Sequence, residues 1–358
     1  MTDWPDRRIL DLLGIELPII QAPMAGPNTP ALVIAVAEAG GLGSMPCAML
    51  SPEQMRNEVG IVRQRTSKPI NVNFFCHTPA PADPAREASW RRRLASYYKE
   101  FGLDPNVSVP ASNRAPFDSV LCDLVEELRP EIVSFHFGLP KPDLLERVKA
   151  TGARILSSAT TVAEAVWLEE HGCDAIIAQG FEAGGHRGIF LSDNLSTQIG
   201  TMALVPQVVD AVKVPVIAAG GIADARGIVA AFALGASAVQ LGTAYLFCPE
   251  MNVPAVHRQA LRSARDDETA LTNLFTGRPA RGIVNRLMRE VGPISETAPA
   301  FPLAGGALTP LRAKTEPTGS GDFMPLWSGQ GARLAREMPA GELTLRLADE
   351  AAKKLGAR

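Results

Sequence analysis

VPVIAAGGIADARGIVAAFALGASAVQLGT (residues 214–243) is a complete strand–helix–strand unit. VPVIAAGG (214–221) is a short β-branched and alanine-rich run that stops at two glycines. The helical stretch after it, DARGIVAAFALGAS (224–237), runs into Gly235, a favoured helix stop. SAVQLGT (237–243) is the next strand. Two apolar strands joined by a helical crossover are expected to lie parallel in one sheet.

The same layout recurs upstream. TVAEAVWLEEHGCD (161–174) and ALVIAVAEAG (31–40) are helices with an apolar face that run into a glycine and then a strand. LPIIQA (17–22), AGGLGS (39–44), KPINVNFF (68–75), PEIVSFHFG (130–138), ARILSSA (153–159) and DAIIAQG (174–180) supply strands one to six. VPVIAAGG and SAVQLGT are then the seventh and eighth. Eight such units close a barrel, whereas five or six leave an open doubly wound sheet. The sequence therefore predicts an α/β fold, a (β/α)8 TIM barrel.

At 358 residues the chain exceeds a bare barrel, for which about 250 residues is typical. The excess falls in two segments. Residues 76–118, polar and rich in Pro, Arg and Tyr, predict a long loop with a helix over the barrel mouth. Residues 251–317 carry VPAVHRQALRSA and GIVNRLMREV and predict a small helical lobe after the eighth strand. The expected organisation is a barrel over 1–250 and 318–358, with 251–317 inserted as a helical lid. TEPTGSGD (315–322) reads as a loop and LTLRLADEAAKKLG (343–356) as a closing helix.

Hydrophobic residues make up 46% of the chain, enough for a large core. A net charge of -3 and a pI of about 6.0 give no reason to expect nucleic acid or an anionic membrane as partner. WRRRLASYYKEF (90–101) is basic and aromatic, but short in an acidic chain, and reads as a solvated helix with aromatic packing. No apolar run reaches the roughly 18 residues of a membrane span, and MTDWPDRRIL lacks a signal core. Five scattered cysteines without a C-x-x-C pair argue against a disulfide framework or a zinc site. We expect a cytoplasmic protein with reduced thiols that acts on a small molecule, with a homodimer as the assembly to consider.

In a barrel, function sits at the C-terminal strand ends, and phosphate sites favour the loops after strands seven and eight. Gly220 and Gly221 end the seventh strand; Gln240, Leu241, Gly242 and Thr243 end the eighth. Paired glycine turns let backbone N–H groups approach a phosphate, although tight barrel turns also need glycine for shape alone. AQGFEAGGHRG (178–188) continues the sixth strand. His186 in this loop is a candidate base or a surface histidine. Gln179 points its amide at the barrel mouth, while Glu182 and Arg187 read as solvated or paired with each other. His136 in SFHFG either lines a pocket or is a satisfied core histidine, and Asn73 either meets a ring edge or caps a turn. Ala22, Pro23 and Met24 in QAPMAGP (21–27) offer an apolar wall or a proline-shaped turn. His77, His171 and His257 look peripheral.

QAPMAGP, INVNFF, SFHFG, AQGFEAGGHRG, AAGGIAD and QLGTAYL stand in the order and spacing of the nitronate monooxygenases, formerly called 2-nitropropane dioxygenases. The resemblance covers roughly residues 15–250, with an echo in MPLWSGQ (324–330), and is closest to the class I branch. It implies an FMN-containing barrel that oxidises alkyl nitronates with O2 and needs no NAD(P)H. It also implies that Asn73, Gln179, Gly184 with Gly185, Gly221 and the run Gln240 to Thr243 contact FMN. His186 corresponds to the family's catalytic histidine and His136 to a second active-site histidine. FPLAGGALTPLRAK (301–314) departs from the family's lid, which leaves substrate preference open. The nearest alternatives on this fold are an FMN-dependent enoyl-acyl carrier protein reductase and an NADH:quinone reductase.

Overall fold

The computed structural model describes residues 4–105, 107 and 114–356; of the 76–118 segment, residues 106 and 108–113 lie outside the described residues. The strands are β1 (Ile19–Gln21), β2 (Gly43–Pro46), β3 (Ile70–Phe75), β4 (Ile132–His136), β5 (Arg154–Ala159), β6 (Ala175–Gln179), β7 (Gly185–His186), β8 (Val216–Ala219), β9 (Ala238–Leu241), β10 (Thr269–Thr272) and β11 (Ala280–Ile283). Eight form a parallel sheet in the order β1-β9-β8-β6-β5-β4-β3-β2. Between its ends, Gln21 N–H reaches Leu42 O and Leu42 N–H reaches Ile19 O, both at 2.9 Å, so the sheet rolls into a barrel. The strands are buried on both faces, as a sheet covered by helices requires.

Local chemistry fixes the repeat. Asp224 caps the helix Ala225–Ala233 through Arg226 N–H, and Thr161 caps Val162–Glu170 through Glu164 N–H. Gly235, after the first of these helices, has φ +91°, and a Cβ there would stand 2.9 Å from Val209. Only glycine turns this helix back into its strand without a clash. The second strand begins later than AGGLGS suggests. Gly40 is left-handed, and a Cβ on Gly41 would sit 2.8 Å from Ile19 O, so these glycines form the turn before β2.

Beside its helices Ala255–Ser263, Arg286–Val291 and Thr309–Thr315, the 251–317 segment carries an antiparallel hairpin, β10–β11. β11 then pairs antiparallel with β7, with Ala280 opposite His186 and Arg281 opposite Gly185. The lobe is thereby stitched to the loop after β6. The helix Pro84–Glu100 buries Trp90, Leu94, Tyr97 and Tyr98 against Leu274, Phe275, Leu287 and Met288 of that lobe. Trp90 Nε1 donates to Ala304 O at 3.0 Å, while Arg92 and Arg93 face solvent. The closing helix Ala340–Gly356 packs on the helices Pro30–Glu38 and Ala225–Ala233.

Candidate active site

A cavity of about 500 Å³ lies at the C-terminal ends of the barrel strands. Ala22, Pro23 and Met24 line it after β1, Asn73 from β3 and His136 from β4. Gln179 lines it from β6, with Gly184, Gly185 and His186 in the loop beyond. Gly220 and Gly221 follow β8, and Gln240, Gly242 and Thr243 end β9. Leu241 is the exception. Strand alternation turns its side chain away from the cavity, fully buried in the hydrophobic core, and its carbonyl accepts the Ala22 N–H at 2.8 Å.

One wall is nearly bare backbone. Gly220 and Gly221 both have positive φ and precede the helix Ala225–Ala233. A Cβ on Gly184 would stand 2.4 Å from Gly329 N. Gly329 N–H in turn donates to Thr243 Oγ1 at 2.9 Å, which leaves the Thr243 hydroxyl proton to donate elsewhere. Gln240 Oε1 is buried beside this wall with no hydrogen-bond partner among the described residues. Such an orphan needs an outside donor.

Another part of the lining surrounds His186. Its Nε2 lies 2.9 Å from Thr276 Oγ1. Its ring centroid is 5.4 Å from Phe301, 5.6 Å from Trp327, 6.0 Å from Phe137 and 6.3 Å from Phe75. Burial pushes the imidazole pKa well below 6.5, and the neighbouring Arg114, His136 and Arg278 push it the same way. The resting imidazole is neutral and sits in a cationic field.

His136 is tied at both ring nitrogens. Nδ1 lies 3.0 Å from Ser158 Oγ and Nε2 lies 3.3 Å from His186 O. A carbonyl only accepts, so Nε2 carries the proton and Nδ1 accepts from Ser158. Burial, followed by Arg278, pushes its pKa down to about 3. His136 thus faces the cavity yet acts on His186 through its backbone.

Arg187 corrects the sequence reading. It is fully buried, and it donates to Gln198 Oε1 at 3.0 Å, Gly180 O at 2.6 Å and Gln179 O at 2.7 Å. Glu182 does not hydrogen-bond it; its carboxylate accepts Thr201 N–H at 2.8 Å, at the start of the helix Thr201–Ala211. Neither a solvated surface pair nor a mutual ion pair results: the Arg187 guanidinium is taken up by Gln198 and two carbonyls, and the Glu182 carboxylate by Thr201. The peripheral reading also fails for two histidines. His257 lines the cavity, with Nε2 donating to Trp327 O at 3.0 Å. His77 is buried, its ring 4.7 Å from Phe301. His171 is exposed and stacks on Trp167 at 3.9 Å.

Arg114, Thr276, Arg278, Phe301 and Trp327 complete the surroundings of His186, and none was singled out in the sequence. The Gly–Arg–Pro turn in TGRP (276–279), just before β11, is an available signal for two of them.

The residues present fit a flavin cofactor. The glycine wall offers backbone and a hydroxyl to a phosphate, the orphaned Gln240 acceptor meets a donor, and Met24 gives an apolar surface.

Fold and site define a TIM-barrel enzyme with a glycine-rich wall and a histidine in one cavity. The sequence model described as "Nitronate monooxygenase" matches residues 6–350. The chain is 46% identical to a nitronate monooxygenase of Pseudomonas aeruginosa, covering 98% of this chain and 99% of that one. It is 43% identical to a nitronate monooxygenase of Paraburkholderia phytofirmans, covering 98% and 96%. Among solved structures, a nitroalkane oxidase from Streptomyces ansochromogenes superposes with a TM-score of 0.88 at 40% identity, covering 98% and 99%. FabK from Thermotoga maritima follows at 0.74 and 30%, covering 98% and 97%. The protein belongs to the nitronate monooxygenase family, a family of flavin-dependent oxidoreductases. Among the described residues no helix is long and apolar enough to cross a membrane.

Proposed function

We propose that the protein binds FMN and carries out the oxidative denitrification of alkyl nitronates, such as propionate 3-nitronate, with O2 and without NAD(P)H. One observation carries this reading: a neutral imidazole sits in an aromatic cage under the field of Arg114 and Arg278, in the same cavity as the glycine wall. A nitronate is a small organic anion. The cage suits its alkyl part, and the cationic field suits its charge.

When bound, FMN supplies the redox chemistry, accepting electrons from the substrate and passing them to O2. The chain supplies the rest. Gly184, Gly221 and Thr243 would hold the phosphate, and Asn73, Gln179 and Gln240 the ring edge. Thr276 holds His186 Nε2, leaving Nδ1 for the substrate. An anion beside His186 favours the protonated ring and offsets the burial that keeps it neutral at rest. A neutral nitroalkane first has to lose its α-proton, and the resting imidazole is in the form that accepts one.

The test compares O2 uptake with propionate 3-nitronate against NADH oxidation with a quinone or crotonyl thioester. Rapid nitronate-dependent uptake with slow NADH oxidation is expected. The reverse pattern would favour one of the NADH-dependent reductases.

A further inference from the structure

The His186 loop is braced by a buried chain of hydrogen bonds that starts two elements away. Glu164, on the helix Val162–Glu170, is buried. Its Oε2 accepts Thr160 N–H at 2.7 Å and the Thr160 hydroxyl at 2.6 Å. Its Oε1 accepts Phe190 N–H at 2.7 Å. Thr160 Oγ1 also accepts from Gln198 Nε2 at 2.9 Å, and Gln198 Oε1 accepts from Arg187 Nε at 3.0 Å.

Every direction in this chain is fixed. A guanidinium only donates, so the Gln198 amide must present its oxygen to Arg187 and its nitrogen to Thr160. Thr160 then has its proton left for the carboxylate, which only accepts. Arg187 passes the constraint on through the carbonyls of Gln179 and Gly180. Residues 187 and 190 of one loop are thus tied to a single buried network, directly after His186.

We propose that Gln198 and Thr160, with Glu164, are positioning residues for His186, acting through Arg187; the inference rests on the proposed role of His186. A buried cation is costly to desolvate and depends on its hydrogen-bond partners. Its bonds to three neutral acceptors define one orientation of the guanidinium, and so of the backbone that carries the imidazole.

A double-mutant cycle separates positioning from general bracing. Gln198→Leu keeps volume and removes both links. In the parent, it should lower kcat/KM for propionate 3-nitronate by about 10–100-fold, since displacements near 1 Å cost up to about 10²-fold. In a His186→Asn background, the same change should cost no more than about 2-fold, because the group it positions is gone. If Gln198→Leu does not fold, Thr160→Val enters the same cycle. Hydrogen exchange gives an activity-independent readout: the amides of 186–188 and 190 should exchange faster in the variant while β8 and β9 stay protected. If the parent turns over no nitronate, the functional reading fails, and the exchange result alone decides. Equal losses in both backgrounds, or unchanged exchange in the loop, overturn the proposal.

Discussion

The carbonyl of Gln179 accepts a hydrogen bond from Arg187 Nη2 at 2.7 Å, while the Gln179 side chain binds the residues on either side of Arg187. Its Nε2 donates to His186 O at 2.9 Å, and its Oε1 accepts Gly188 N–H at 2.7 Å. Strand end and loop clasp each other in both directions. Gln179→Leu removes the side-chain half of the clasp, leaving the Gly188 N–H unpaired at a cost of about 1–3 kcal/mol and His186 O with only its longer bond from His136 Nε2 at 3.3 Å. We expect a lower urea midpoint and impaired nitronate turnover. A variant as stable and active as the parent would show that the clasp is dispensable.

The cofactor prediction concerns size as well as identity. The purified protein should be yellow and release FMN, not FAD, on heating, because one compact glycine wall faces the cavity and the sequence lacks a dinucleotide G-x-G-x-x-G turn. Gly184→Ala places a carbon 2.4 Å from Gly329 N and must push two walls of the site apart. Its flavin content should fall well below that of the parent, measured as bound flavin per chain. Chromatography that returns FAD would overturn the assignment.

Much of this site was legible because barrel strands announce themselves. β6, β8 and β9 are apolar runs that end in glycine, and their ends are where a barrel keeps its chemistry. The histidines at 136 and 186 followed from the same rule. Arg187, Gln198 and Thr160 were not legible, since their meaning lies in contacts across 11 and 38 residues of sequence. His257 was missed for a similar reason: it sits on a lobe helix, and only the fold brings it to the cavity. The hairpin pairing β11 with β7 was hidden because the His186 side of that ladder is two residues long.

Buried neutral histidines should make the protein sensitive to mild acid. Burial holds His136 at about 3, and His77 and His257 at about 4, all below the unfolded value near 6.5. Below pH 6.5 the unfolded chain binds protons that the folded chain does not, so unfolding gains as pH falls. Each group then contributes up to about 1.4 kcal/mol per pH unit, until its folded pKa is reached. The urea midpoint should drop clearly between pH 7 and pH 5. A midpoint that stays level over that window would mean these histidines are protonated in the folded state.

Replacing His186 by Asn separates two roles for the residue. A neutral nitroalkane needs a base to remove its α-proton, and general-base help is typically about 10²–10⁴-fold. A preformed nitronate has already lost that proton, so only binding and electrostatics remain, and a hydrogen bond to a charged group is worth about 1.5–3 kcal/mol. If His186 is the base, turnover of a neutral nitroalkane collapses in the variant while turnover of the nitronate falls less. Flavin should stay bound, because the glycine wall and not the imidazole is the proposed hold on the cofactor, and Thr276 holds the His186 Nε2. Should the parent ignore neutral nitroalkanes, the base role is moot and the nitronate rate alone measures the anion contact. The resting imidazole is neutral, so its own protonation should not shape kcat/KM between pH 6 and 8. A variant that matches the parent on both substrates would remove His186 from the chemistry, and one that loses its flavin would make the residue structural.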